Sequence, residues 1–140
     1  PLLPLAAIAT SLTFGAVLLR VISAITLVQI GFVGSGVMAV LLQILPYTPM
    51  TYVVLFAFLG LIQSASFSAI PQLNPSPDSQ AIAHGGMSQM GNLGNLLGTP
   101  VMLVTMGSFG TTGAMMMLII CYVIGFSAHA YLARKRQLAA

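Results

Sequence analysis

Apolar residues in this chain neither alternate nor follow a narrow stripe. They come in continuous runs of about twenty, the length that crosses a bilayer core of about 30 Å at about 1.5 Å per residue. Proline, glycine or polar stretches part the runs, and five helices are predicted, at about residues 5–19, 23–45, 51–70, 80–106 and 114–132. Arg20 ends the first. Pro46-Tyr47-Thr48-Pro49 stops the second, because proline removes an amide donor and clashes with the preceding turn. Pro71 closes the third. Pro71–Ser79 is the most polar segment and holds Asp78, the one acid of the chain; Asp78 or Ser79 is the expected cap of the fourth helix. Gly107–Gly113 reads as a turn, and Pro100 should bend the fourth helix.

Composition fixes the solvent. The chain has 140 residues, 58% hydrophobic and 4% charged, with mean hydropathy +1.03. Four basic residues, one acid and two histidines cannot cover a soluble protein of this size. The fold class is therefore an all-α integral membrane protein, one transmembrane region over residues 1–140, whose first partner is the lipid bilayer. A β-barrel would show strict alternation over about ten residues. The net charge of +3 is not a nucleic-acid patch, since Arg134, Lys135 and Arg136 sit together as a topology signal. By the positive-inside rule that cluster places the C-terminus in the cytoplasm, in a plasma (inner) membrane. Counting back puts Arg20 and Pro71–Ser79 on the same side. The chain opens at Pro1 inside an apolar run with no charged n-region, so a longer protein is expected rather than a signal peptide.

The anomaly is Gln89–Pro100. It carries Gln89, Asn92 and Asn95 with Gly91, Gly94 and Gly98 inside an apolar helix. At 100° per residue, His84, Ser88, Gly91, Asn95 and Gly98 share a stripe about 80° wide, flanked by Asn92 and Gly94. Glycines let helices approach closely, and amides can hydrogen-bond across the contact. The same pattern also suits the wall of a polar path, so packing and solute contact both stand. Gln63 shares a face of the third helix with Phe56, Gly60, Ser64 and Phe67 and is open to the same two readings. Gln29 and Gln43, nearer helix ends, read as structural. Gly31, Gly34 and Gly36 read as a packing notch, because a nucleotide loop needs a preceding strand. His84 and His129 lie near the interface as solvated side chains. The methionines read as apolar filler, and Cys121 has no partner for metal spacing or a disulfide. No acid falls within a span, and no nucleophile–base pair suggests an enzyme. No cofactor or metal is expected.

Ala69-Ile-Pro-Gln-Leu-Asn-Pro75, the run Ala81-x-x-x-Gly85…Gln89-x-Gly91-Asn92-x-Gly94…Gly98-x-Pro100, and a last helix with a basic tail together resemble the C-terminal end of a major facilitator superfamily transporter, helices eight to twelve of twelve. One departure is the turn after the eighth helix, where the family carries several charges and this chain has only Arg20. The resemblance implies secondary transport of a small solute by alternating access. The rest of the permease, an N-terminal helical bundle, would then lie outside these residues. It makes Gln63, Gln89, Asn92 and Asn95 candidate solute contacts. The alternative is a non-transporting membrane subunit whose glycine-rich helix is an assembly face.

Overall fold

The computed structural model describes residues 2–45 and 48–139, which are helical almost throughout, with no strand among them. Helix α1 (Leu2–Thr10) passes into a π-helical turn (Ser11–Gly15) and a short α2 (Ala16–Leu18). Helix α3 (Ala24–Ile44), α4 (Pro49–Leu73) and α5 (Pro77–Ala139) follow. Three stretches are long and apolar enough to cross a membrane: Ala24–Ile44, Pro49–Leu73 and Pro77–Leu138; Leu3–Leu18 is a shorter apolar helix. The last of the three, 62 residues, would be about 93 Å long if straight. It is broken at Gly110, whose φ of 66° and ψ of −167° leave the helix. Its two limbs, residues 77–109 and 111–139, turn back on each other, since the Thr105 hydroxyl reaches the Met117 sulfur at 3.6 Å.

The expected boundaries move in five places. Pro71 does not close α4, which continues to Leu73. Pro71 has no amide to give the Phe67 carbonyl, but only the last turn follows it. The Asn74 amide and its side-chain Nδ2 both donate to the Ile70 carbonyl, at 3.0 and 2.8 Å, and Gln80 Nε2 donates to the Asn74 carbonyl at 3.0 Å. Neither Asp78 nor Ser79 is the N-cap of α5; Ser76 is. Its hydroxyl accepts from the Ser79 amide (3.2 Å), and the Ser79 hydroxyl accepts from the Ser76 amide (3.3 Å). This is a reciprocal capping box, with Pro77 at the first helical position, where its missing donor is harmless. The turn expected over Gly107–Gly113 narrows to Gly110 alone, and the helix carries on through Pro100. The basic cluster Arg134-Lys135-Arg136 rides on helix rather than on a tail beyond residue 132. The first helix begins at Leu2, not 5, and contains the unforeseen π turn. Part of the Pro46–Pro49 stop, Pro46 and Tyr47, lies outside the described residues; α4 starts at Pro49.

Packing is organised by small residues. Helix α3 buries Ala24, Leu27, Val28, Gly31, Ser35, Ala39 and Leu42, a stripe at helical spacing. Gly31 lies against Ile62 and Gly34 against the Phe58 ring, so α3 and α4 run antiparallel. Leu27, Val28, Leu61 and Ala65 form the buried cluster between them. The second limb of α5 runs antiparallel to α3, with Gly125 and His129 beside Phe32 and Tyr122 beside Gly36. Helix α1 runs parallel to α4: Gly60 abuts the Ala7 carbonyl, and Gly15 abuts Ser64. These directions bring Arg20, the connection at residues 74–76 and the Arg134–Arg136 cluster to one end of the bundle. The Ser23 hydroxyl caps α3 by accepting from the Thr26 amide at 3.2 Å.

Two substitutions test this packing. Gly110 occupies a backbone region that only glycine enters without strain, so Gly110→Ala should lower stability in detergent by about 1–3 kcal/mol. Gly107→Ala, in helix with nothing near its Cβ, should not. The Ser35 hydroxyl is fully buried and has no partner. Ser35→Ala removes an unsatisfied group and should raise the denaturation midpoint, by an amount worth about 1 kcal/mol.

Candidate functional site

The residues expected to contact solute fall in two places. The first is an open groove of about 420 Å³ between α1 with its π turn and α4, lined by Ile8, Ser11, Leu12, Gln63, Ser64, Phe67 and Ser68, of which Ile8, Leu12, Gln63 and Phe67 are exposed. Gln63, Ser64 and Phe67, expected on one face of α4, are indeed brought together there, with Gly60 one turn away at the helix contact. Ser64 donates its hydroxyl to the Leu61 carbonyl at 3.2 Å. The side chains of Ser11, Gln63 and Ser68 make no hydrogen bond within the described residues. Their donors and acceptors are open to the groove. Phe67 at its edge stacks on His84, ring centroids 6.0 Å apart and planes at 19°. His84 is therefore exposed but not simply solvated, and His129 is likewise set against Phe32, at 5.5 Å.

The second place is the first limb of α5. Gln89, Asn92 and Asn95 are exposed there, and a Cβ built on Gly91, Gly94 or Gly98 would meet nothing within 4 Å. The face has no partner among the described residues. The limb is held near its start by Phe67–His84 and near its end by Thr105–Met117. None of its residues lines the Gln63 groove, so the structure does not join Gln63 to the three amides of α5.

Elsewhere small residues pack and apolar grooves remain. Gly31 and Gly34 form the notch that receives Ile62 and Phe58. Gln29 lines a mostly apolar groove with Thr26, Gly34 and Phe58. Another apolar groove, of about 360 Å³, separates α3 from the second limb and includes Gly36, Tyr122 and Phe126. Arg20, Arg134, Lys135 and Arg136 are all exposed. No group of three or more metal-ligating side chains occurs among the described residues.

Sequence reasoning missed Ser11. The π turn places it across from Gln63, and Thr13 in the same turn donates its hydroxyl to the Ala9 carbonyl at 2.6 Å. Single π turns occur often at functional sites. The hydroxyl-rich run Thr10-Ser11-Leu12-Thr13 was the available signal.

No family model, curated protein or solved structure matches this chain.

The two glycine contacts that frame the groove differ from the bare stripe of α5. Gly60→Ala would drive a methyl into the Ala7 backbone, which cannot rotate away. The expected loss of stability is about 1–3 kcal/mol, the usual cost of overpacking. Gly91→Ala, in helix with open space at its Cβ, should not lower the unfolding midpoint of this chain in detergent.

Proposed function

We propose that this chain is part of a membrane permease that moves a small solute by alternating access, with five crossings and the basic end in the cytoplasm. One observation carries the reading: in an otherwise apolar chain, Gln89, Asn92 and Asn95 lie on a limb that no other described helix covers. Amides facing hydrocarbon are costly, so such a face is met by polar groups of other helices or by water. The break at Gly110 supports five crossings, because each limb alone is long enough to span a bilayer. The resemblance to major facilitator transporters supplies the rocking mechanism, with the covering helices in a partner bundle outside these residues. Gln63 would contact the solute from α4. A second reading is favoured by the bare glycines at 91, 94 and 98: the limb is purely an assembly face of a non-transporting subunit.

Thiol accessibility separates the two without knowledge of the solute. In the intact protein with Cys121→Ala, Asn92→Cys and Asn95→Cys are treated in native membranes with a charged, water-soluble thiol reagent. Leu97→Cys, on the opposite side of the helix, is the control. Modification needs the thiolate, which forms in water and not in hydrocarbon, so a polar path predicts labelling about tenfold or more faster at 92 and 95 than at 97. Equal, slow labelling at all three sites rejects the path and leaves the assembly face.

A further inference from the structure

We infer that the groove between the π turn and α4 is a binding site for a small uncharged molecule with hydrogen-bonding groups on one side and an apolar face on the other. The inference deepens the transport reading at Gln63, naming the class of solute, and rests on that reading only for what happens after binding.

Three observations converge. The groove is framed rather than accidental. Gly60 against Ala7 and Gly15 against Ser64 clamp the helices at both ends of residues 8–12 of the first helix. Between these clamps the π turn leaves about 420 Å³ open. Its polar groups are unspent: Ser11, Gln63 and Ser68 hydrogen-bond to nothing in the described residues. Gln63 is exposed and Ser11 and Ser68 are half-buried, so their hydrogen-bonding groups are accessible to a molecule that enters the groove. Its walls hold no charge. No Arg, Lys, His, Asp or Glu lines the groove, so an ion would enter without a counter-charge and lose its hydration. A neutral ligand meets no such cost. Phe67 and Ile8 offer the apolar side, and aromatic rings favour a flat apolar partner.

Residues 1–140 hold no tryptophan, and any tryptophan elsewhere in the intact protein is replaced by phenylalanine. Leu12 lines the groove and is 72% exposed, so Leu12→Trp then places a single fluorescent reporter there with little disturbance. The intact protein carrying it is titrated in lipid nanodiscs with three quenchers of closely similar shape: nicotinamide, which is neutral, nicotinate, an anion, and 1-methylnicotinamide, a cation. Nicotinamide should quench along a saturating curve, and the two ions should quench only linearly, by collision. Gln63→Leu and Ser11→Ala, each with the reporter, should weaken nicotinamide by about threefold to tenfold, the worth of one hydrogen bond. Unchanged helicity and monodispersity exclude misfolding as the cause. Linear quenching by all three probes, equal saturation by an ion, or saturation indifferent to Gln63→Leu and Ser11→Ala would each overturn the inference. The outcome is separable from the transport reading, because labelling at Asn92→Cys and Asn95→Cys reports the path on α5 whether or not this groove binds.

Discussion

Close approach at glycine is the constraint on which this structure depends. Lipid tails are as apolar as leucine side chains, so burying one apolar helix face against another gains little from the solvent. What remains is dispersion, worth about 0.1–0.2 kcal/mol per atom pair and lost across gaps of under an ångström. Gly31 and Gly34 let α3 settle onto Ile62 and Phe58, and Gly15 and Gly60 let the first helix settle onto α4. At Gly60 a larger residue would meet the Ala7 backbone, and at Gly15, Gly31 and Gly34 it would have to displace the side chains of Ser64, Ile62 and Phe58. The buried cluster of Leu27, Val28, Leu61 and Ala65 follows from that proximity.

The same constraint separates the two polar places. On α4 the glycine contacts fix the first helix at two points and leave a polar groove between them, so the groove's shape belongs to the fold. On the first limb of α5 the glycines touch nothing, and the amides beside them are held in no fixed relation to another helix. One place is organised within the chain; the other depends on what meets it. A permease reading uses both, the first as a formed contact surface and the second as the side that faces a moving partner.

Much of this architecture was legible in the sequence, for local reasons. Run length and low charge give helices of membrane-spanning size, and Gly31 and Gly34 read as a notch because two small residues on one helical face have few other uses. The failures also have physical causes. Pro71 carries less weight than an interior proline because only a few residues of helix follow it, and the Asn74 amide and side chain both bond the Ile70 carbonyl at the helix end. Ser76 was overlooked as the cap because Pro77 looks like a loop residue, yet proline suits the first helical position. The π turn has no pattern of its own. It shows itself only where Gly15 meets Ser64, a contact 49 positions apart in sequence, and Ser11 became visible as a site residue only with it.

Gly110 has a consequence for how the protein is made. On the membrane reading proposed above, a reversal completed at a single residue would let the two limbs of α5 enter a bilayer together as a helical hairpin, each satisfying its own backbone hydrogen bonds. What must be carried to the far leaflet would then be only the apex. Residues 108–112, Ser-Phe-Gly-Thr-Thr, bear no charge, while Asp78 and the three basic residues would stay on the side of entry. The costliest groups of this half of the chain need never cross.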